Sequence, residues 1–279
     1  MQDKIEKIGN GSVIQHGSLN KRVYLMKLNQ KDSRFIIPEI NELARKNNYT
    51  KIFCKIPAWA APLFFANGFL TEAEIPKFFN NEETAFFVSK FLSSDRLLGL
   101  ETERMHEFSK MLVESDKYKK PKVIHDARFI IKKLNHSNCK RIAEIYREVF
   151  ITYPFPIHKQ DYILNSMDNG VQYFGAETEG RIVALASAEV DKESGNAELT
   201  DFATLPQHRG NNLSFIVLKE MEQEMSRQDI KTVYTIARMN SAAMNKTFLN
   251  MDFTYSGTLI KNTNIAGKIE SMNVFYKHI

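Results

Sequence analysis

Two carboxylates, a glycine turn and a helix start stand close together in one stretch of this 279-residue chain. Glu198-Leu199-Thr200-Asp201-Phe202-Ala203-Thr204 mixes apolar and β-branched residues and reads as a strand. Pro206 interrupts it by removing a backbone donor. Arg209-Gly210-Asn211-Asn212 then leads into Leu213, Val217, Met221 and Met225, which recur at helical spacing. The start of a helix carries unpaired N–H groups and the positive end of its dipole, so a strand–turn–helix unit of this kind suits a pyrophosphate. An ordinary turn before an amphipathic helix is the alternative. Glu198 and Asp201 are three residues apart. Strand alternation sends them to opposite faces unless a bulge intervenes, so they are not expected to share one task.

The elements that must position these groups follow from the pattern on either side. Residues 231–238, KTVYTIAR, form a second strong strand, and residues 240–249 a helix ending near Asp252-Phe253. Upstream, residues 171–177 and 181–190 form a hairpin around Glu179-Gly180, and residues 138–150 and 161–167 are helical. Tyr153-Pro154-Phe155-Pro156 is not helix, because each proline biases its predecessor toward extended backbone. Residues 256–262 and 271–277 supply two closing strands. Nearer the start, residues 1–30 read as two or three short strands, 36–46 as a helix, 51–56 as a strand, 59–66 as a short helix, and 73–76 and 85–91 as a closing pair. Residues 51–56 followed by Phe65-Ala66-Asn67-Gly68-Phe69 parallel residues 231–236 followed by Leu249-Asn250-Met251-Asp252-Phe253, a weak internal repeat. The division expected is therefore an N-terminal half at 1–92, a linker at 93–126, helical between 95 and 114, and a second domain at 127–279.

At 43% hydrophobic and 11% aromatic the chain can bury sizeable cores. No apolar run approaches the ~20 residues that span a bilayer, and residues 1–12 carry no apolar signal region. Cys54 and Cys139 lie far apart without a CxxC pattern, which fits reduced thiols in a cytoplasmic enzyme rather than structural zinc; no metal is expected. The net charge of +5 arises from 38 basic and 33 acidic residues that are scattered together. The densest basic run, at 117–122, reads as a solvated linker rather than a nucleic-acid tail.

The order of strand, phosphate turn and helix, strand, and Asn-led helix resembles the GNAT superfamily of acetyl-CoA-dependent N-acetyltransferases. Longer motifs carry a closer resemblance, to the beta-lysine N-acetyltransferase family. They are Tyr153-Pro154-Phe155-Pro156-Ile157, Thr200-Asp201-Phe202-Ala203-Thr204-Leu205-Pro206, Tyr234-Thr235-Ile236-Ala237-Arg238 and the stretch 262–274. Ile14-Gln15-His16-Gly17 and Tyr24-Leu25-Met26-Lys27-Leu28 extend the likeness nearly end to end. The resemblance implies an α/β (α+β) fold whose mixed, mostly antiparallel sheet is flanked by helices. The N-terminal half would be a cut-down copy without the phosphate turn, in a structural or substrate-lid role. The implied activity is acetyl transfer from acetyl-CoA to the epsilon amine of beta-lysine, giving a compatible solute, with a lysine 2,3-aminomutase supplying the substrate. Neither nucleic acid nor membrane is an implied partner.

The resemblance also implies roles residue by residue. Glu198 stands where many members carry a base, with Asp201 a second candidate; a solvated strand face and a cap are their alternatives. Backbone N–H groups of Phe202, Ala203 or Thr204 would meet the acetyl carbonyl and pantetheine. Arg209, Gly210, Asn211, Asn212, Leu213 and Ser214 would hold the pyrophosphate, and Asn240 the pantetheine arm, or else cap its helix. Asn212 replaces a key glycine and Ser214 a small apolar residue. Asn tolerates left-handed backbone better than most residues, so a weakened coenzyme site is expected rather than none. Phe248 occupies the position of the usual tyrosine acid, leaving Tyr255, Asn245 or water as substitutes. Arg238 is the candidate partner for a substrate carboxylate, because its fork is bidentate. Tyr153 and Phe155 would wall the substrate, and Asn262 and Asn264 would bind an amine; core packing and turn chemistry are the alternatives.

Overall fold

A parallel strand pair joined by a helix occurs twice along the chain, and each pair is the centre of its own sheet. The computed structural model describes residues 3–99, 101–115, 127–265 and 267–279. The first six strands are β1 (Lys4–Ile8), β2 (Ser12–Gly17), β3 (Arg22–Lys27), β4 (Lys51–Pro57), β5 (Leu70–Phe79) and β6 (Glu83–Phe91), ordered β1-β2-β3-β4-β6-β5. Helix α1 (Ile36–Lys46) links β3 to β4, and α2 (Ala61–Ala66) follows β4. Two short helices, α3 (Ser94–Leu98) and α4 (Thr102–Glu114), occupy the linker, and the basic run at 117–122 lies outside the described residues.

The second sheet contains β7 (Ile130–Leu134), β8 (Val171–Thr178), β9 (Arg181–Asp191), β10 (Asn196–Thr204), β11 (Thr232–Arg238), β12 (Thr254–Ile265) and β13 (Lys268–His278), ordered β12-β13-β11-β10-β9-β8-β7. Helices α5 (Cys139–Val149) and α6 (Gln160–Asp168) separate β7 from β8, α7 (Leu213–Arg227) joins β10 to β11, and α8 (Ala242–Asn250) follows β11. The two sheets share one pairing pattern. β3/β4 and β10/β11 are the parallel pairs, and each is flanked by antiparallel neighbours in the same order. The repeat seen in the sequence thus corresponds to strands β1–β6 set against β8–β13. The first half has no counterpart of β7, α5 or α6.

Each helix of a parallel pair buries one stripe because its apolar residues fall every three or four positions. Ile36, Ile37, Ile40 and Ala44 of α1 enter the first half's core, and Leu213, Val217, Met221 and Met225 of α7 enter the second's. A third core lies between the halves. Tyr24, Phe53, Ile75, Phe78 and Phe87 pack there against Tyr234, Leu259, Ile265, Met272 and Val274. Burying an apolar side chain of this size contributes roughly 1.5–3 kcal/mol, so the halves are held as one body.

Polar ties reinforce that seam. The Lys51 ammonium donates to Glu72 and to the Ile260 carbonyl, both at 2.7 Å, while the Ile260 N–H donates to Glu72 at 2.6 Å. Burial lowers the Lys51 pKa to about 8, against the pull of Glu72. Gly257 is required where β12 crosses β5, because a Cβ there would lie 2.0 Å from the Glu72 carbonyl oxygen. One face of the first sheet therefore packs on β11, β12 and β13 of the second.

Candidate active site

Asp201 departs from the backbone of the strand around it. Its φ of 57° is left-handed, a region Asp tolerates better than most residues. Thr200 pairs with Ser187 and Ala203 with Leu185, so two residues of β10 face one of β9. This β-bulge reverses the alternation. Asp201 therefore joins Glu198 on the face toward the first sheet, which corrects the expectation that the two lie on opposite faces. The Asp201 carboxylate accepts hydrogen bonds from the Tyr153 hydroxyl and from Ser187 Oγ, the latter at 2.7 Å. Beyond the bulge the central strands separate. Only Asn196, Ala197 and Glu198 pair with β11, opposite Thr232, Val233 and Tyr234.

An inner cavity of about 320 Å³ lies between the halves at this point. Gln15, Arg22, Tyr24, Met26, Phe53 and Lys55 line it from the first half, and Glu189, Glu198, Asp201, Tyr234, Tyr153, Phe155 and Asn262 from the second. Glu189 and Glu198 are direct cross-strand neighbours. The Lys55 ammonium donates to the Tyr234 hydroxyl at 2.9 Å, and Tyr234 stands opposite Glu198 in the parallel pairing. Burial pushes the Glu198 pKa up, while Lys55 and then Tyr234 pull it down. Glu189 is pushed up to about 8, first by burial and then by Glu198 and Asp201. Burial raises Asp201 as well, against the bonds from Tyr153, Ser187 and Thr200. Burial lowers Lys55. Three carboxyl groups and one ammonium at this wall favour a cationic ligand, and the raised pKa values make the acids better proton acceptors than ordinary carboxylates. Among the described residues, no group of His, Cys, Asp and Glu is arranged to hold a metal.

On the other side of the bulge the separated strands open into an outer cleft of about 830 Å³. Phe202, Thr204, Arg209, Gly210, Asn212, Leu213 and Ser214 line it, with His208 beside them and Ser241, Met244 and Phe248 opposite. Gly210 has φ 86° and Asn212 φ 55°, so the turn takes its left-handed steps at a glycine and an asparagine. Asn212 is the N-cap of α7, yet its side chain makes no capping bond. The first-turn amides of that helix are thus available to an anion. Tyr153, Thr200, Asp201, Ile236, Ile265 and Met272 line both cavities, so the two meet at the bulge.

Several residues singled out from the sequence stand elsewhere. Ala203 is buried in the pairing with β9 and does not line the cleft, and Asn211 turns its amide to the His208 carbonyl. Asn240 neither caps α8 nor lines the cleft. Its amide meets Glu101 in a surface hollow beside the linker, while the next residue, Ser241, holds the N-cap position and lines the cleft. Arg238 spends its fork on Glu270, at 2.9 and 2.8 Å, and faces the outer cleft rather than the inner cavity. Asn262 lines the inner cavity, whereas Asn264 ties β12 to Leu19 and Asn20 of the first half. Phe248 packs edge-on to Phe202 with centroids 5.6 Å apart. Neither suggested substitute for its missing proton lines the cleft: Tyr255 bonds Thr258, and Asn245 is spent on three backbone carbonyls.

Other residues at the site escape sequence reading. Glu189 had a weak signal, as a charge in the otherwise apolar β9 at the alternation of Ser187. Gln15, Arg22 and Lys55 had none, because their position depends on the docking of the two halves.

Comparison with known proteins places this geometry. Residues 139–253, which include the bulge, the turn and α8, match the Acetyltransferase (GNAT) family. The chain is 37% identical over 280 aligned residues to the beta-lysine N(6)-acetyltransferase of Methanococcus maripaludis, covering 99% of this chain and 98% of that one. It is 30% identical to the protein of the same name from Methanosarcina mazei, over 71% and 72% of the two chains. It is 27% identical to the N-acetyltransferase YodP of Bacillus subtilis over the full length of both. A bulged strand, a separated partner and an uncapped helix start belong here to a chain with near-complete likeness to named acetyltransferases: it is an N-acetyltransferase of the GNAT family.

Proposed function

We propose that the chain transfers the acetyl group of acetyl-CoA to the epsilon amine of beta-lysine. The junction of the two cavities at the Asp201 bulge carries this reading. A coenzyme lying in the outer cleft, with its pyrophosphate on the turn at 209–214, would bring its thioester to that junction. A small diamino acid in the inner cavity would bring an amine to the same place. Likeness to two beta-lysine N(6)-acetyltransferases, at 37% and 30% identity, supports the substrate.

The chemistry assigned to the residues is as follows. A lysine-type amine with pKa near 10.4 is only about 0.1% neutral at pH 7.4. Glu198 takes a proton from the bound ammonium, and its raised pKa suits that exchange. The amine nitrogen bonds to the acetyl carbon, with the oxyanion met by N–H groups of the bulged strand near Phe202. Asp201 takes the second proton from nitrogen as the carbon–sulfur bond breaks. The thiolate needs a proton that Phe248 does not have. Tyr153, at the junction and bonded to Asp201, is the phenol that gives it, taking in the same relay the proton that Asp201 has received. The first half acts as the far wall of the acceptor site.

The product, N6-acetyl-beta-lysine, carries no net charge and suits accumulation as a compatible solute. A lysine 2,3-aminomutase is the class of enzyme that would supply the acceptor, and the assigned location is the cytoplasm. Incubation of the purified chain with acetyl-CoA and beta-lysine should release free CoA, and mass spectrometry should find acetyl on the epsilon nitrogen. Glu198→Gln should lower kcat by roughly 10²–10⁴-fold, the usual worth of a positioned base, with acetyl-CoA affinity kept. Turnover of another amine with none of beta-lysine would reject the substrate.

A further inference from the structure

Arg22 is a cation buried without an acid partner. It is 4% exposed and lines the inner cavity from β3. One terminal nitrogen donates to the Asn262 carbonyl at 2.7 Å and to Thr263 Oγ1 at 3.2 Å, and the other to Gln15 Oε1 at 3.2 Å. All three acceptors are neutral, and Nε has no partner among the described residues. The charges that Arg22 feels most, besides Tyr24, are those of Asp3 and Glu72. Both are engaged elsewhere, Asp3 with Leu19 and Asn20, and Glu72 with Lys51 and Ser89. The guanidinium carbon lies 5.3 Å from the Tyr24 ring centroid and 5.6 Å from that of Phe53, contacts that offset only part of its desolvation.

Two neighbours share this condition. Gln15, 1% exposed, keeps its amide Nε2 unpartnered, and Asn262, also 1% exposed, keeps Oδ1 unpartnered; both line the same cavity. A tie between β3 and β12 needs only the bonds to Asn262 and Thr263. It does not need a charge, and a buried charge without its counterion costs several kcal/mol. Native folds rarely leave buried donors unspent unless a ligand takes them. The cavity is thus asymmetric: donors and a cation on one wall, carboxyl groups on the other.

We infer that the N-terminal half supplies a carboxylate receptor, in which Arg22 and Gln15 hold the acid group of the acceptor while Glu189 and Glu198 hold its amines. The inference rests on the acetyl-transfer reading and deepens it by assigning the selection of an amino acid over a plain diamine to Arg22. Arg238, whose fork is closed by Glu270, does not serve that purpose. The separation of the two walls then decides which amine reaches the bulge. A carboxylate lodged at Arg22 leaves the far end of an extended chain beside Asp201, and the nearer amine beside the wall.

The test compares each acceptor with its carboxamide, which keeps size and both amines but loses the charge. Beta-lysine, lysine and ornithine are measured against their amides by turnover and by calorimetric binding to the full chain with CoA present. The wild type should favour the acid by at least roughly 10-fold in KM. Arg22→Gln should raise KM for the acid roughly 10- to 100-fold, the range for losing charge-assisted hydrogen bonds, with kcat and the amide's KM little changed. Arg22→Lys should recover part of the preference. Equal use of acid and amide by the wild type, or equal loss on both in Arg22→Gln, would overturn the inference. If another amino acid proves to be the acceptor, the beta-lysine reading fails while the acid-to-amide ratio on that acceptor still judges Arg22. Without turnover, the calorimetric ratio decides. Should Arg22→Gln fail to fold, Gln15→Leu must lower the same ratio, and an unchanged ratio there counts against the receptor.

Discussion

Replacing Lys55 by methionine tests how the first half of the chain sets the chemistry of the second. Its ammonium donates to the Tyr234 hydroxyl at 2.9 Å, and Tyr234 pairs with Glu198 across the two central strands. Glu198 feels the Lys55 charge directly, as an opposite charge within about 4–6 Å does. At that separation and an effective dielectric of about 20, the attraction is roughly 3 kcal/mol, equivalent to about two pH units. Lys55 therefore opposes the upward push that burial gives Glu198. Methionine fills much of the same volume without the charge. The sign follows directly: without the cation, Glu198 holds its proton to higher pH, and a protonated carboxyl cannot act as a base. The acid limb of the kcat/KM profile should move up by roughly one to two pH units, with the alkaline plateau within a few-fold of wild type. The assay is initial rate against pH from about 6 to 10, at limiting acceptor and saturating acetyl-CoA. An unmoved limb, or an equal loss at every pH, would refute the electrostatic link between Lys55 and Glu198.

Two further outcomes are expected. Glu189 has a folded-state pKa raised to about 8, so its stabilising, neutral form is complete below the ordinary carboxylate range and is lost as pH rises toward 8. Glu189→Gln should therefore match the wild type in ligand-free thermal melts near pH 5 and exceed it above pH 8; a difference independent of pH would count against the shift. At Asn212, left-handed at φ 55°, alanine should cost about 1–2 kcal/mol and raise KM for acetyl-CoA, whereas glycine should not. Indistinguishable alanine and glycine variants would show that the turn does not depend on this backbone state.

Local pattern was enough to read much of this protein. Helical spacing marked α1 and α7, and the strand, turn and helix at 198–218 stand where propensity and Pro206 put them. The motifs carried the family, and the repeat in sequence matches a repeat in strand pairing. These features are encoded by neighbours in the chain, whose periodicity and turn residues act over a few positions. The site itself is divided. The grouping of Glu198, Tyr153, Phe155 and the turn at 209–214 along the two cavities was legible because they belong to contiguous motifs. The side on which Asp201 faces was not, because one left-handed residue reverses a strand's alternation without changing its composition. The partners of Arg238 and Asn240, Glu270 and Glu101, were not legible because they are distant in sequence. Arg22, Gln15 and Lys55 reach the cavity only because an apolar seam holds the first sheet against β11, β12 and β13. The sequence alone thus determined the elements and the turn that opens α7. The inner cavity was decided by the packing of two halves, since burial, and with it the altered pKa values and a guanidinium with no acid partner among the described residues, exists only once those surfaces meet.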